Sequence, residues 1–253
     1  MAALWCWAFG RAVRLRLDPS LPVALALGTW LFYVADRLLD ARYSPGSMLQ
    51  ERHYFHQRHR SQFVTATVPI AIALTVLVAR MPSSLIAAYC ALGMFSLVYL
   101  ALVHLPARAR RRSLPYFPKE FAVALLFAAA TALPAWDAAM RRLPGMSQHD
   151  PLLFLCPLFA ALCWLNCTAI EKWEQHRHGR RVEWLAAIIV AASCLSLFGL
   201  INHPARWLAV AAAVSAALFL VLDRGRLAAG SRRIAADLVL LTPVLLLASR
   251  LPR

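Results

Sequence analysis

Charge is what this chain has least of. Only 15% of its 253 residues are charged and only twelve are acidic. Soluble domains carry about a quarter charged residues, so a soluble enzyme and a disordered chain are both excluded. Lysine is nearly absent, with Lys119 and Lys172 the only two among 27 basic residues. The six cysteines, Cys6, Cys90, Cys156, Cys163, Cys167 and Cys194, form no CxxC pair and fall almost entirely inside apolar runs. There a thiol behaves as a small hydrophobe, which excludes a secreted disulfide scaffold.

What the chain has in excess is apolar length. Hydrophobic residues make up 61% of it, and the mean hydropathy is +0.59. A membrane-crossing helix needs about 20 mostly apolar residues. Eight runs meet that need: 21–39, 63–81, 84–105, 117–136, 152–170, 184–201, 206–222 and 234–251. Residues 1–10 add a short apolar stretch that reads as the tail of a further helix. The fold expected is all-α, a single integral-membrane bundle over residues 1–253, with eight clear spans and a short N-terminal helix.

The net charge of +15 and pI near 10.7 could suggest nucleic acid. The arginines instead gather at the ends of apolar runs, as in a multispanning membrane protein, so membrane lipid is the expected partner and nucleic acid is not. Basic residues crowd alternate loops: Arg42 to Arg60, Arg108 to Lys119, Lys172 to Arg181, and Arg224 to Arg233. By the positive-inside rule these loops are cytoplasmic. Arg11, Arg14 and Arg16 then fall on the wrong side, which a short interfacial helix with snorkelling arginines would ease. The preference for arginine over lysine fits a GC-rich genome, and hence a bacterial inner membrane. Trp5, Trp7, Trp136, Trp184 and Trp207 fall near run ends, where an aromatic belt would place them. Pro69, Pro157 and Pro243 lie within runs and would kink them.

With so few acidic residues, their positions are informative. Asp36 and Asp40 stand at i and i+4 at the end of the first long run, flanked by Tyr33 and Arg37. Carboxylates so spaced share a helix face and can together ligate Mg²⁺. Pairing with Arg37 or Arg42 is the alternative. The fifth run ends in Asn166, Ile170, Glu171 and Glu174. Asn166 sits among apolar residues and needs a partner or a polar cavity. A third cluster holds Arg52, His53, His56, Arg58 and His59. It reads as a basic interfacial helix. A lid in which Arg52 or His56 reaches a bound anion, or a transition-metal site shared with His176 and His178, are its alternatives. Asp237 is expected to pair with Arg233.

Two long apolar helices, each running into an acidic and then a basic segment, make a layout that resembles the UbiA family of intramembrane prenyltransferases. The resemblance covers nearly the whole chain, in a nine-helix arrangement. The family's first motif is N-D-x-x-D-x-x-x-D. Here Phe32 and Tyr33 replace its first two residues, while Asp36 and Asp40 match and Arg37 follows as it often does in the family. The second motif is D-x-x-x-D-x-x-x-D, and its positions here hold Asn166, Ile170 and Glu174, with Glu171 adjacent. Lys119 matches a basic residue that recurs before helix five.

The resemblance implies Mg²⁺-dependent transfer of a prenyl group from a prenyl diphosphate to a lipophilic or aromatic acceptor at the cytoplasmic face. It implies Asp36, Asp40, Glu171 and Glu174 as metal ligands, with Asp36, Asp40 and Glu174 central to catalysis. Tyr33, Arg37, Lys119 and Asn166 would contact substrate, along with Arg52 and His56. The missing carboxylates keep a second expectation open: a non-catalytic UbiA-like protein that binds an isoprenoid or a partner subunit. A small transporter is a third, though the acidic residues sit at helix ends rather than mid-span.

Overall fold

The computed structural model describes residues 1–43, 58–103, 119–142, 150–175, 179–225 and 227–244. Every regular element among them is helical: α1 (Ala2–Ala12), α2 (Ser20–Tyr43), α3 (Arg60–Val78), α4 (Ser83–Val103), α5 (Lys119–Arg142), α6 (Asp150–Glu174), α7 (Arg181–Gly199), α8 (Arg206–Arg224) and α9 (Ala229–Val239). Seven of them, α2 to α8, are long and apolar enough to cross a membrane, which makes this an integral membrane protein. The eighth expected span, 234–251, begins within α9 and runs past the described residues.

Side-chain chemistry fits helices bathed in lipid. Val64, Val68, Ile72 and Val76 of α3 are exposed, as are Met94, Phe95, Leu97 and Val98 of α4. Apolar surface on that scale needs an apolar cover. Five hydroxyls inside the spans are satisfied locally, while Ser193 Oγ is buried with no partner among the described residues. Thr67, Thr75, Ser96, Thr131 and Ser196 each donate to the carbonyl four residues earlier, at 2.7–2.9 Å. Such back-bonding spares a polar group from hydrocarbon. Pro69 and Pro157 lie inside α3 and α6, which are continuous through them.

The chain forms two compact units, one of residues 18–117 and one of residues 1–17 with 118–253. In the first, α2 packs on α3. In the second, α7 packs on α8, α5 on α6, and α6 also meets α7, α8 and α9. Its interfaces are built on small residues, which let helix backbones approach closely. Ala124, Ala128, Ala132, Ala135 and Ala139 make a buried seam along α5, and Ala209, Ala212 and Ala216 another along α8.

The structure corrects the expectation for α1. At 11 residues it is about 16 Å long, too short for a hydrocarbon core of about 30 Å. Trp5, Cys6 and Phe9 are essentially inaccessible, and α1 packs on α5. Trp5 is therefore core rather than belt, its ring stacked 4.3 Å from that of Phe159. Phe9 meets the same ring edge-on at 5.6 Å. The helix stops in a Schellman turn: Leu15 N–H bonds the Gly10 carbonyl at 2.9 Å and Arg14 N–H bonds that of Arg11 at 3.1 Å. Arg14 occupies the left-handed position of that turn (φ 58°), where glycine is usual. Gly10 is closely approached, since a Cβ there would stand 2.6 Å from Leu17 Cγ and the Leu17 side chain would have to shift.

The last helix is interrupted. α9 ends at Val239, Leu240 and Leu241 form a turn, and residues 242–244 resume a helical course. Pro243 has no N–H to give the Val239 carbonyl four residues back. Ser215 Oγ of α8 donates to that oxygen instead, at 3.0 Å. Val244 N–H goes to Leu241 at 3.0 Å, and Trp5 Nε1 takes the Leu240 carbonyl at 2.9 Å. Thr242 Oγ1 lies 2.7 Å from Ser215 Oγ and 3.3 Å from the Ala211 carbonyl. The backbone groups released by the break thus find partners within the protein.

Candidate functional site

Alternating helix directions bring the C-terminal ends of α6 and α8 together with the N-terminal end of α9. Three turns of α6 carry most of the polar chemistry there. Asn166 Oδ1 is buried and has no hydrogen-bond partner among the described residues. Cys167, one residue on, is close enough to Lys119, Glu120, Glu171 and Asp237 to interact with their charges. Glu171 accepts from Gln175 Nε2 at 3.1 Å. Ile170, at the middle position of the second acidic motif, offers no donor atom. Glu174 Oε1 lies 3.6 Å from Arg233 Nη1, with both side chains partly shielded. Arg233 thus meets Glu174 across helices. Its charge also acts on Asp237, one turn along α9 and its expected partner.

Beside this pair stands a tighter network that the sequence reading missed. The Asp223 side chain at the end of α8 is only 5% exposed. It receives Lys172 Nζ on both oxygens, at 3.0 and 2.8 Å, and Trp173 Nε1 at 2.9 Å. Arg232 stands over the Trp173 ring at 6.0 Å, and its Nη2 donates to the Gly225 carbonyl at 2.7 Å. Its Nε is buried with no partner among the described residues. The signal was available: Asp223 is one of only twelve acidic residues and closes an apolar run. Nothing local identified its partners on α6.

A shallow, open groove of about 370 Å³ lies one turn along α9 from Arg233, lined by Met1, Ile234, Asp237, Leu238 and Leu241. All but Asp237 are apolar. A charged rim therefore adjoins an apolar wall.

The other expected residues are distributed as follows. Lys119 starts α5, well exposed, 3.9 Å from Glu120 Oε1. Tyr33, Asp36 and Arg37 lie near the end of α2, with the Arg37 guanidinium 5.2 Å from the Tyr33 ring centroid. Asp36 is half-buried. The side chain of Asp40 lies outside the described residues, as do Arg52, His53, His56, His176 and His178. Arg58 and His59 lead into α3.

The donor chemistry of α6 does not fit a Mg²⁺ ion of its own. Ile170 cannot ligate, and an arginine already faces Glu174. The set holds one orphaned amide oxygen where the family motif has a carboxylate. Comparison with protein-family models, curated proteins and solved structures found no match for this chain.

Proposed function

We propose that this protein is a UbiA-type prenyltransferase acting at the cytoplasmic face of a bacterial inner membrane. The observation that carries the reading is the charged rim at Arg233 and Glu174, set one helical turn from a shallow groove lined mainly by apolar side chains. A prenyl diphosphate has that polarity: a compact anion joined to a hydrocarbon chain. In the reaction the allylic C–O bond breaks and its electron pair leaves with the diphosphate. A lipophilic or aromatic acceptor supplies the pair for the new bond and releases a proton. Arginine and lysine side chains aimed at the leaving oxygens stabilise the charge that develops there. Lys119, Arg232 and Arg233 are the candidates. Asp36 and Asp40 would hold Mg²⁺, which when bound neutralises the leaving group.

A second reading is favoured by one contact. The Glu174–Arg233 pairing leaves the second acidic motif without a free carboxylate pair, as suits a protein that binds an isoprenoid without turning it over. Binding of a prenyl diphosphate to the purified protein, with and without Mg²⁺, separates the two. The enzyme reading expects Mg²⁺-dependent binding that is lost in Asp36→Asn/Asp40→Asn. Metal-independent binding, unchanged in that variant, supports the second reading. No binding at any chain length overturns both.

A further inference from the structure

We infer that Arg232 and Arg233, rather than a second metal ion, receive the diphosphate at the α6–α9 end, and that Glu174 is the counter-ion that neutralises Arg233 until the phosphate displaces it. The inference rests on the prenyl diphosphate reading and reverses the role expected of Glu174.

Three observations carry it. The first is an unused donor. Arg232 Nε is buried with no acceptor among the described residues, and a buried N–H without a partner is costly unless a ligand completes it. The second is preorganisation. One edge of the Arg232 guanidinium is held by the Gly225 carbonyl, and its face stands over Trp173. Trp173 is itself fixed by Asp223, which Lys172 anchors. A guanidinium held in this way loses little entropy when it binds an anion. The third is the looseness of the neighbouring pair. At 3.6 Å, with Arg233 about one-third exposed, the Glu174–Arg233 contact is longer than a charge-assisted hydrogen bond. A phosphate dianion can displace such a partner.

The carboxylates around the site set the competition. Glu174 and Asp237 both act on Arg233, and Asp223 is engaged by Lys172 and Trp173. An incoming phosphate exchanges for Glu174, and Asp223 keeps the scaffold.

The test uses the full chain in nanodiscs of zwitterionic lipid, titrated with farnesyl thiodiphosphate, an inert analogue, in Mg²⁺ and in EDTA. Arg232→Gln and Arg233→Gln should each weaken binding at least about tenfold. Arg232→Lys, which keeps the charge but loses the fork, should fall between. Glu174→Gln should bind as tightly as wild type or tighter, with its Mg²⁺ response unchanged. Thermal unfolding of each variant shows that it is folded. A Glu174→Gln variant that loses both binding and Mg²⁺ response would make Glu174 a metal ligand and overturn the inference. Arginine variants that bind like wild type sink it too, yet leave the prenyl diphosphate reading standing. A wild type that fails to bind removes both.

Discussion

Trp5 Nε1 donates to the carbonyl of Leu240 at 2.9 Å, joining the first helix to the break in the last across 235 residues of chain. The indole does two things there. Its ring fills the space against Phe159, and its N–H satisfies a backbone oxygen that the broken helix has released.

Trp5→Phe keeps most of the packing and removes only the donor. It should lower stability by about 1–3 kcal/mol, the cost of an orphaned buried carbonyl. Thermal unfolding in detergent checks this. If Trp5→Phe matches wild type, the hydrogen bond is not holding the break.

Ser215→Ala tests the adjacent stitch. It strips the Val239 carbonyl and the Thr242 hydroxyl of the same partner. The single change should cost about 1–2 kcal/mol. Because Val239 and Leu240 are neighbours, Trp5→Phe and Ser215→Ala should couple by about 0.5 kcal/mol or more in a double-mutant cycle. Strict additivity would mean the two bonds hold independent structures.

Asp223→Asn addresses the network between α6 and α8. Lys172 retains some solvent access, so the loss should be about 2 kcal/mol, below the 3–5 kcal/mol of a fully buried pair. Adding Lys172→Met should restore part of it, because the uncompensated cation is then gone. A double variant less stable than Asp223→Asn would contradict this account.

At the opposite end of the same unit, His203 lies in the turn between α7 and α8, and its Nδ1 accepts from Ala205 N–H at 3.2 Å. Burial pushes its pKa below the ordinary value of 6.5, and the nearby Arg14 charge adds to the effect. A folded-state pKa below the unfolded one means that the unfolded chain binds the proton more tightly. The stabilisation is therefore present above about pH 6.5 and is lost as pH falls through that value toward the folded pKa. Wild type should lose more melting temperature between pH 8 and pH 5 than His203→Gln does. Equal losses would place the titrating group elsewhere.

Arg14→Gly should stabilise the protein by about 1 kcal/mol, since the left-handed conformation costs arginine what it does not cost glycine. The same change should shrink the His203 pH effect by removing the nearby cation. A destabilised Arg14→Gly would show that the arginine side chain offsets its own backbone strain.

Much of the architecture was legible from hydropathy. A run of about 20 apolar residues has one reading in a lipid bilayer, and α2 to α8 follow from it. The charged helix ends were legible for the same reason, because acidic residues are scarce. What was not legible are partners set by distant packing. Arg233 looks locally to Asp237, four residues away, yet its ion-pair oxygen belongs to Glu174 on another helix. Residues 1–10 are apolar over most of their circumference, so periodicity could not say whether they face lipid or protein. Only Phe159 and Leu240 decide that. Pro243 announced a disturbance, but not that Ser215 and Trp5 would repair it.

The second unit is discontinuous in sequence, and that constrains the order in which it can be made. α1 is made before the helices it packs on, α5 and α6, and its hydrogen bond to Leu240 closes last of all. Three whole helices, α2 to α4, are synthesised in between and belong to the other unit. During that interval α1 has no partner for Trp5, and it is too short to span the bilayer alone. Its capture is a late, long-range closure, the kind of contact that folds slowly and leaves apolar surface exposed in the meantime. A nascent chain stalled before α5 should keep its N-terminal helix accessible to protease, and a chain released past Leu241 should not.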